Sequence, residues 1–232
     1  MRLPIVTGLT LLFAGTAVLC QSQAQFPLAI DARTMRTQER VEEIYVNGDF
    51  ERALLIYRQE LAPIGDKYAQ YMVGYMHLHG QGVTPDRSVA LAWYRVAAER
   101  GEEILLAARD QLIAVMSPRE LGRADALFHD LWQRLGDRKL ILDLIAKDMD
   151  ELRTHTGSRI PDAGGAMPMV IYTPSGQPIG PNYYRDIRAR IQARLRYLDS
   201  HVEVIDLPLD ESNAAMKSRE AEIKEELAKL EP

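Results

Sequence analysis

The chain has 232 residues, 47% of them apolar and 26% charged, with a formal net charge of −5. That length buries a substantial core, and the composition is that of an ordinary globular protein. An acidic chain of this kind is excluded as a protein that holds nucleic acid through its overall charge.

The first residues read as a targeting segment. Met1-Arg2 supplies a positive start, Ile5 to Leu19 is an uncharged and mostly apolar run, and Ser22-Gln23-Ala24 places small residues at a cleavage site. This is the layout of a secretory signal peptide over 1–24, and the run falls short of the roughly 20 residues that a membrane span needs. The expected mature chain begins near Gln25 and is exported, to the periplasm or to the medium. Cys20 raises a lipid anchor as an alternative, but the bulky Leu19 directly before it fits that processing poorly. Cleavage after Ala24 leaves no cysteine, which excludes disulfides, thiol catalysis and zinc–thiolate sites in the mature chain.

From Thr34 to about Leu152 the pattern is helical. The first helix is expected over Thr34 to Asn47, ending at Gly48, and the second over Phe50 to Ala62. In the second, Phe50, Ala53, Leu54, Tyr57 and Leu61 step by three and four and so share a face. Pro63 and Gly65 punctuate the next turn. The third helix, Lys67 to His79, places Ala69, Met72, Val73, Met76 and His77 on one side and ends at Gly80-Gln81-Gly82. The fourth, Asp86 to Arg100, carries Ala90, Trp93 and Ala97 inward and closes at Gly101. A fifth follows over Glu102 to Met116. Ser117-Pro118 then starts the sixth, Pro118 to Leu135, as an N-cap followed by proline at the first helical position. Helix–turn–helix thus recurs three times at intervals of about 36 residues, the mark of a solenoid in which stacked hairpins share one core. Arg138 to Arg153 fits a capping helix.

The central hairpin carries the most specific pattern. It contains Ala69, Gly74, Gly80-Gln81-Gly82, Asp86, Ala90, Trp93-Tyr94, Ala97-Ala98 and Gly101. Small residues allow helices to approach closely, Gly80 and Gly82 permit a tight turn, and Asp86 is placed to accept bonds from free N–H groups. The segment resembles a Sel-one-like repeat, a relative of the tetratricopeptide repeat, over roughly 33 residues. His77 stands where that family usually has tyrosine. Gly48-Asp49-Phe50, Ala53 and Tyr57 resemble the second half of a preceding repeat. The Glu102 to Leu135 hairpin has the size of a third but lacks the glycine turn. The resemblance implies an adaptor without catalysis of its own, with no catalytic residue, metal or cofactor to carry over.

Other signals favour structural roles. His77 and His79 form His-x-His, but residues two apart on a helix diverge by about 200° and do not grip one ion. Gly80-Gln81-Gly82 lacks the third glycine and the Lys-Ser/Thr of a phosphate loop and follows a helix rather than a strand. Tyr71, Tyr75, His79 and Tyr94 are the residues nominated to contact a partner, because aromatics at a helical-repeat surface serve as anchors.

The C-terminal third departs from the repeats. A linker from Thr156 to Ala166 precedes a strand candidate, Met169 to Tyr172, and a turn at Thr173 to Gly176. At most a small hairpin is expected, since proline in Gln177-Pro178-Ile179 cannot donate to a ladder. Asn182 to Ser200 is an amphipathic helix with Tyr184, Ile187, Ile191, Leu195 and Leu198 in one stripe. Arg188, Arg190 and Arg194 border that stripe. They either cover its edges with their stems or meet an anionic membrane. The tail, Asp210 to Pro232, is charged and helical, with Met216, Ile223, Leu227 and Leu230 as a thin seam.

The sequence therefore predicts a mostly α protein. It comprises an α–α superhelix of about three hairpins plus a cap over 34–153, an extension over 154–205 with a small β element and an amphipathic helix, and a tail over 206–232. The expected function is non-enzymatic binding of a protein or peptide in the cell envelope, with no nucleic-acid partner. Rival readings are an envelope hydrolase or wall-modifying factor, and a membrane-surface protein using the 182–200 helix.

Overall fold

The computed structural model describes residues 32–156, 171–172, 178–179, 183–201 and 211–229. The signal segment 1–24, Cys20 and most of the linker lie outside the described residues. Two compact units are present, the first ending at Leu140 and the second formed from Ile141 onward.

In the first unit the helices are α1 (Ala32–Val46), α2 (Phe50–Ile56), α3 (Lys67–His79), α4 (Arg87–Ala97), α5 (Glu103–Ile113) and α6 (Pro118–Leu135). Side-chain caps set where four of them begin. Asp49 accepts from the Arg52 N–H and Asp66 from that of Ala69, while Asp86 takes both Ser88 and Val89. Ser117 and Glu120 cap each other reciprocally ahead of α6. The second expected helix is not uniform. It widens to a π turn over Tyr57–Leu61 and tightens to a 3-10 turn over Ala62–Ile64 before Gly65. Likewise α4 ends in a 3-10 turn, Ala98–Arg100, closed by Gly101 at φ 75.

The central helix is α4. It packs against α3 on one side and against α5 and α6 on the other. Its Ala90, Leu91, Ala92, Trp93, Tyr94, Val96 and Ala97 are all buried. Trp93 joins a core made with Val41 of α1, Ala53 and Tyr57 of the second hairpin half, and Met72 and Met76 of α3. Tyr94 joins a second cluster with Leu112, Met116 and Ala124. Burial of the two aromatics alone removes several hundred Å² from water, so the two clusters on either side of α4 dominate the stability of this unit.

The turn between α3 and α4 is tied back to the preceding hairpin. A Cβ at Gly82, whose φ is +68, would lie 2.6 Å from the Phe50 carbonyl carbon and the Glu51 nitrogen. Backbone cannot move aside as a flexible side chain would, so only glycine fits here. Tyr45 of α1 fixes the same turn by donating its hydroxyl to Gln81 Oε1 at 2.8 Å.

The second unit contains the remainder of α7 (Asp137–Thr156), a two-residue ladder of β1 (Ile171–Tyr172) and β2 (Pro178–Ile179), α8 (Tyr183–His201) and α9 (Glu211–Lys229). Ile171 lies opposite Ile179 and Tyr172 opposite Pro178. The pairing is too short to form a layer, and the unit is built by its helices. Ile145, Met149 and Leu152 of α7 are buried, as are Ile187, Ile191, Leu195 and Leu198 of α8 and Ile223 and Leu227 of α9. The seam of the charged tail thus has an intramolecular home, with Lys224 bonded to Asp199 at 2.8 Å and Arg219 to Asp143 at 3.4 Å. The helix expected to cap the repeats divides between the units: Asp137 to Leu140 belong to the first and the rest to the second.

Two glycine substitutions should move stability in opposite directions. Gly82→Ala should lower it by at least ~1 kcal/mol through strain and backbone overlap. Gly122 lies in the middle of α6, and a Cβ there would meet nothing within 4 Å. Its replacement by alanine should gain about 0.5–1 kcal/mol. Urea unfolding followed by circular dichroism distinguishes the two.

Candidate functional site

Spacing by four along α3 puts Tyr71, Tyr75 and His79 in one row, and Tyr94 of α4 completes it. The Tyr71 ring stacks on Tyr94 with centroids 5.1 Å apart and planes 13° from parallel. Tyr75 follows Tyr71 at 6.2 Å, and His79 follows Tyr75 at 4.2 Å. Exposure rises along the row. Tyr94 is buried, Tyr71 and Tyr75 are half-buried and His79 is exposed. The inner end is locked because Gly74 admits the Tyr94 ring, 2.6 Å from where a Cβ would stand. Tyr71 also touches all three buried clusters of the unit.

This row lies in a defined sequence module. Residues 67–102 match the family model of the Sel1 repeat. This segment is a Sel1 repeat. No curated protein and no solved structure matches the chain. Sel1 repeats generally mediate protein–protein interaction, and the family is typically a non-enzymatic scaffold.

Within the Sel1 repeat the glycines and small residues lie at the helix contacts. Ala69, Ala90, Ala97 and Ala98 are buried, Gly80 and Gly101 take positive φ, and Asp86, besides capping α4, receives Arg123 at 2.6 Å. His77 is half-buried with its Nδ1 unpartnered. Burial, then the nearby Arg58, lowers its pKa. His77 thus sits apart from the exposed His79, and among the described residues no group of three His, Cys, Asp or Glu is placed to hold a metal ion.

Beside the Sel1 repeat, α1 and the second hairpin half add residues that sequence reasoning missed. Tyr57, fully buried, donates its hydroxyl to Glu42 Oε1 at 2.7 Å, and Tyr68 also hydrogen-bonds Glu42. Tyr68 packs edge-on against Tyr57 at 6.4 Å. Burial raises the phenols of Tyr45, Tyr57, Tyr68, Tyr71 and Tyr94, so each stays protonated and able to donate. A signal existed: the chain has 10 tyrosines against 4 phenylalanines, and Tyr45, Tyr57, Tyr68, Tyr71, Tyr75 and Tyr94 all fall in the first unit. Their convergence depends on packing between helices, which no local period reveals.

A second unforeseen cluster lies at the far end of α3 and α4. Lys67, fully buried, donates to Val96 O at 3.0 Å and to Glu99 Oε2 at 2.9 Å, and pairs with Asp137 Oδ1 at 3.0 Å. Arg100 bonds both Asp137 oxygens, at 2.8 and 3.1 Å, and the Gly65 carbonyl at 2.8 Å. Glu99 further accepts from Trp132 Nε1 at 3.1 Å and from the Asp137 N–H at 2.9 Å. Two positive and two negative groups balance, and each has several partners, as burial demands. Burial is the largest influence on Glu99 and raises its pKa beyond what Lys67 offsets. Burial opposes ionisation of Asp137 too, but Lys67 and Arg100 outweigh it and hold that carboxyl below its usual range. This is a fastening, not a catalytic pair, since its members are fully occupied with one another.

In the second unit, Arg194 is buried and ion-paired with Asp148, which also takes Arg190 at 3.1 Å; Arg188 is half-buried. The charge of Arg194 is therefore used inside the unit rather than presented to a membrane. A pocket of about 310 Å³ is lined by Ala146, Met149, Asp150, Arg153, Arg219, Glu222 and Ile223. Its lining mixes acidic, basic and apolar side chains. No helix among the described residues is long and apolar enough to cross a membrane.

Removing one member of the buried circuit should be costly and pH-dependent. Asp137→Asn should lose about 3 kcal/mol at neutral pH, as for other broken buried pairs. A depressed folded pKa contributes stability above the unfolded value and loses it as pH falls through the folded one. The deficit should therefore shrink on acidification below the ordinary carboxylate range. Asp125→Asn, which breaks an exposed pair with Arg95, should cost under ~1 kcal/mol at every pH. Urea titrations at a series of pH values measure both.

Proposed function

We propose that the protein is a non-enzymatic scaffold or adaptor of the bacterial cell envelope that holds a protein or peptide segment along the ring row of its Sel1 repeat. One observation carries this reading. The row runs from a locked, buried end at Tyr94 through half-buried Tyr71 and Tyr75 to exposed His79. Rings held by their neighbours before a partner arrives lose little freedom on binding, and half-buried tyrosines offer both apolar faces and hydroxyl groups. The layout of Met1 to Ala24 supports export and, with it, a periplasmic location.

Crosslinked pull-down of the tagged mature chain from envelope extracts tests the reading. Specific partners should be recovered, and Tyr75→Ala should reduce their yield about ten-fold, the loss of a typical aromatic anchor. Its melting temperature should stay within a few degrees, because the Tyr75 ring is only half-buried. Recovery unchanged in both Tyr75→Ala and His79→Ala, or no protein above background, would sink the proposal.

A further inference from the structure

Resting on that reading, we infer that the partner segment presents an arginine, received by Glu42 beside the tyrosine faces of the first unit. Glu42 is a half-buried carboxylate on α1. Its hydrogen bonds come from the phenols of Tyr57 and Tyr68, and among the described residues no lysine or arginine pairs with it. Glu99 and Asp137 of this unit are matched by Lys67 and Arg100, and Asp86 by Arg123, whereas Asp66 and Glu120 serve as helix caps. Phenols thus orient the Glu42 carboxylate, and among the described residues no cation is paired with it.

The surroundings select the form of the missing cation. Tyr57 and Tyr68, whose phenols bond Glu42, pack edge-on with centroids 6.4 Å apart, and half-buried Tyr45 of α1 also feels its charge. Aromatic faces attract cations through their quadrupole. A guanidinium combines that attraction with a planar fork that bonds a carboxylate at two points, whereas an ammonium is a compact and strongly hydrated charge. The carboxylate of Glu42 already has one oxygen fixed at 2.7 Å from Tyr57. It is held in orientation before any partner arrives. Arginine is therefore the side chain that gains most here, with lysine weaker and neutral residues excluded by the uncompensated charge.

Selection from a display library of random dodecapeptides tests this, using the mature chain and Glu42→Gln as parallel baits. Glutamine keeps an acceptor oxygen for Tyr57 and removes the charge, exchanging the other oxygen for an NH2 group. Arginine should be enriched on the wild-type bait and fall to background frequency on Glu42→Gln. A selected peptide resynthesised with citrulline for arginine should bind the wild type about ten-fold more weakly, the scale of a lost charge-assisted contact. The citrulline comparison needs no variant, so it decides the matter even if Glu42→Gln misfolds. Peptides enriched without arginine, or equal binding of the citrulline form, overturn the inference and leave the ring-row reading intact. Failure to enrich any peptide overturns both.

Discussion

A Cβ on Gly74 would stand 2.6 Å from the Tyr94 ring and 3.0 Å from the Ala90 carbonyl oxygen. The absence of that carbon lets α3 and α4 close onto each other. Their closeness turns Trp93 into one apolar cluster and Tyr94 into the other. It also sets the Tyr94 ring flat against Tyr71. Core formation and the candidate site thus depend on one contact, and neither could be altered there without the other.

Around that contact, the first unit divides its polar chemistry into two kinds. At the start of α3, charges face charges in full burial, and every member is matched. Elsewhere in the unit phenols gather, and Glu42 of α1 accepts from two of them, Tyr57 and Tyr68. Desolvation makes an unpaired buried charge costly, so the first arrangement serves the fold. A half-buried carboxylate retains access to water and is tolerated without a counter-ion.

The hairpin from Lys67 to Arg100 was legible in the sequence because small residues, paired glycines and an aspartate cap act locally. Helix starts were equally readable where a side chain caps its own turn, as at Asp86 and Ser117. The π turn at Tyr57–Leu61 was not, since the step pattern of Phe50 to Leu61 fits an unbroken α-helix just as well. Tyr71, Tyr75, His79 and Tyr94 could be nominated one by one, but their stacking order needed the packing of α3 on α4. Trp132 is inconspicuous beside Phe128 and Leu131 in an apolar stripe, although its indole nitrogen reaches Glu99. Lys67, Glu99, Arg100 and Asp137 carry no local mark that separates them from ordinary solvated charges. Distant positions in the chain meet there, and no period connects them. The arginine edge of α8 read as packing along the stripe, with a membrane surface as the alternative, and the position of Asp148 on α7 was the missing fact.

The Lys67–Glu99–Asp137–Arg100 circuit also bears on modularity. Helical arrays lengthen readily when each junction is generic and apolar, because a grafted module meets the same greasy surface as its predecessor. Here the junction after Gly101 is addressed: Glu99 accepts the backbone N–H of Asp137, and Arg100 grips both oxygens of that residue. An extra hairpin spliced between them would strand an acid and a base without their complements. This junction is thereby keyed by chemistry, as a connector is that accepts one matching plug.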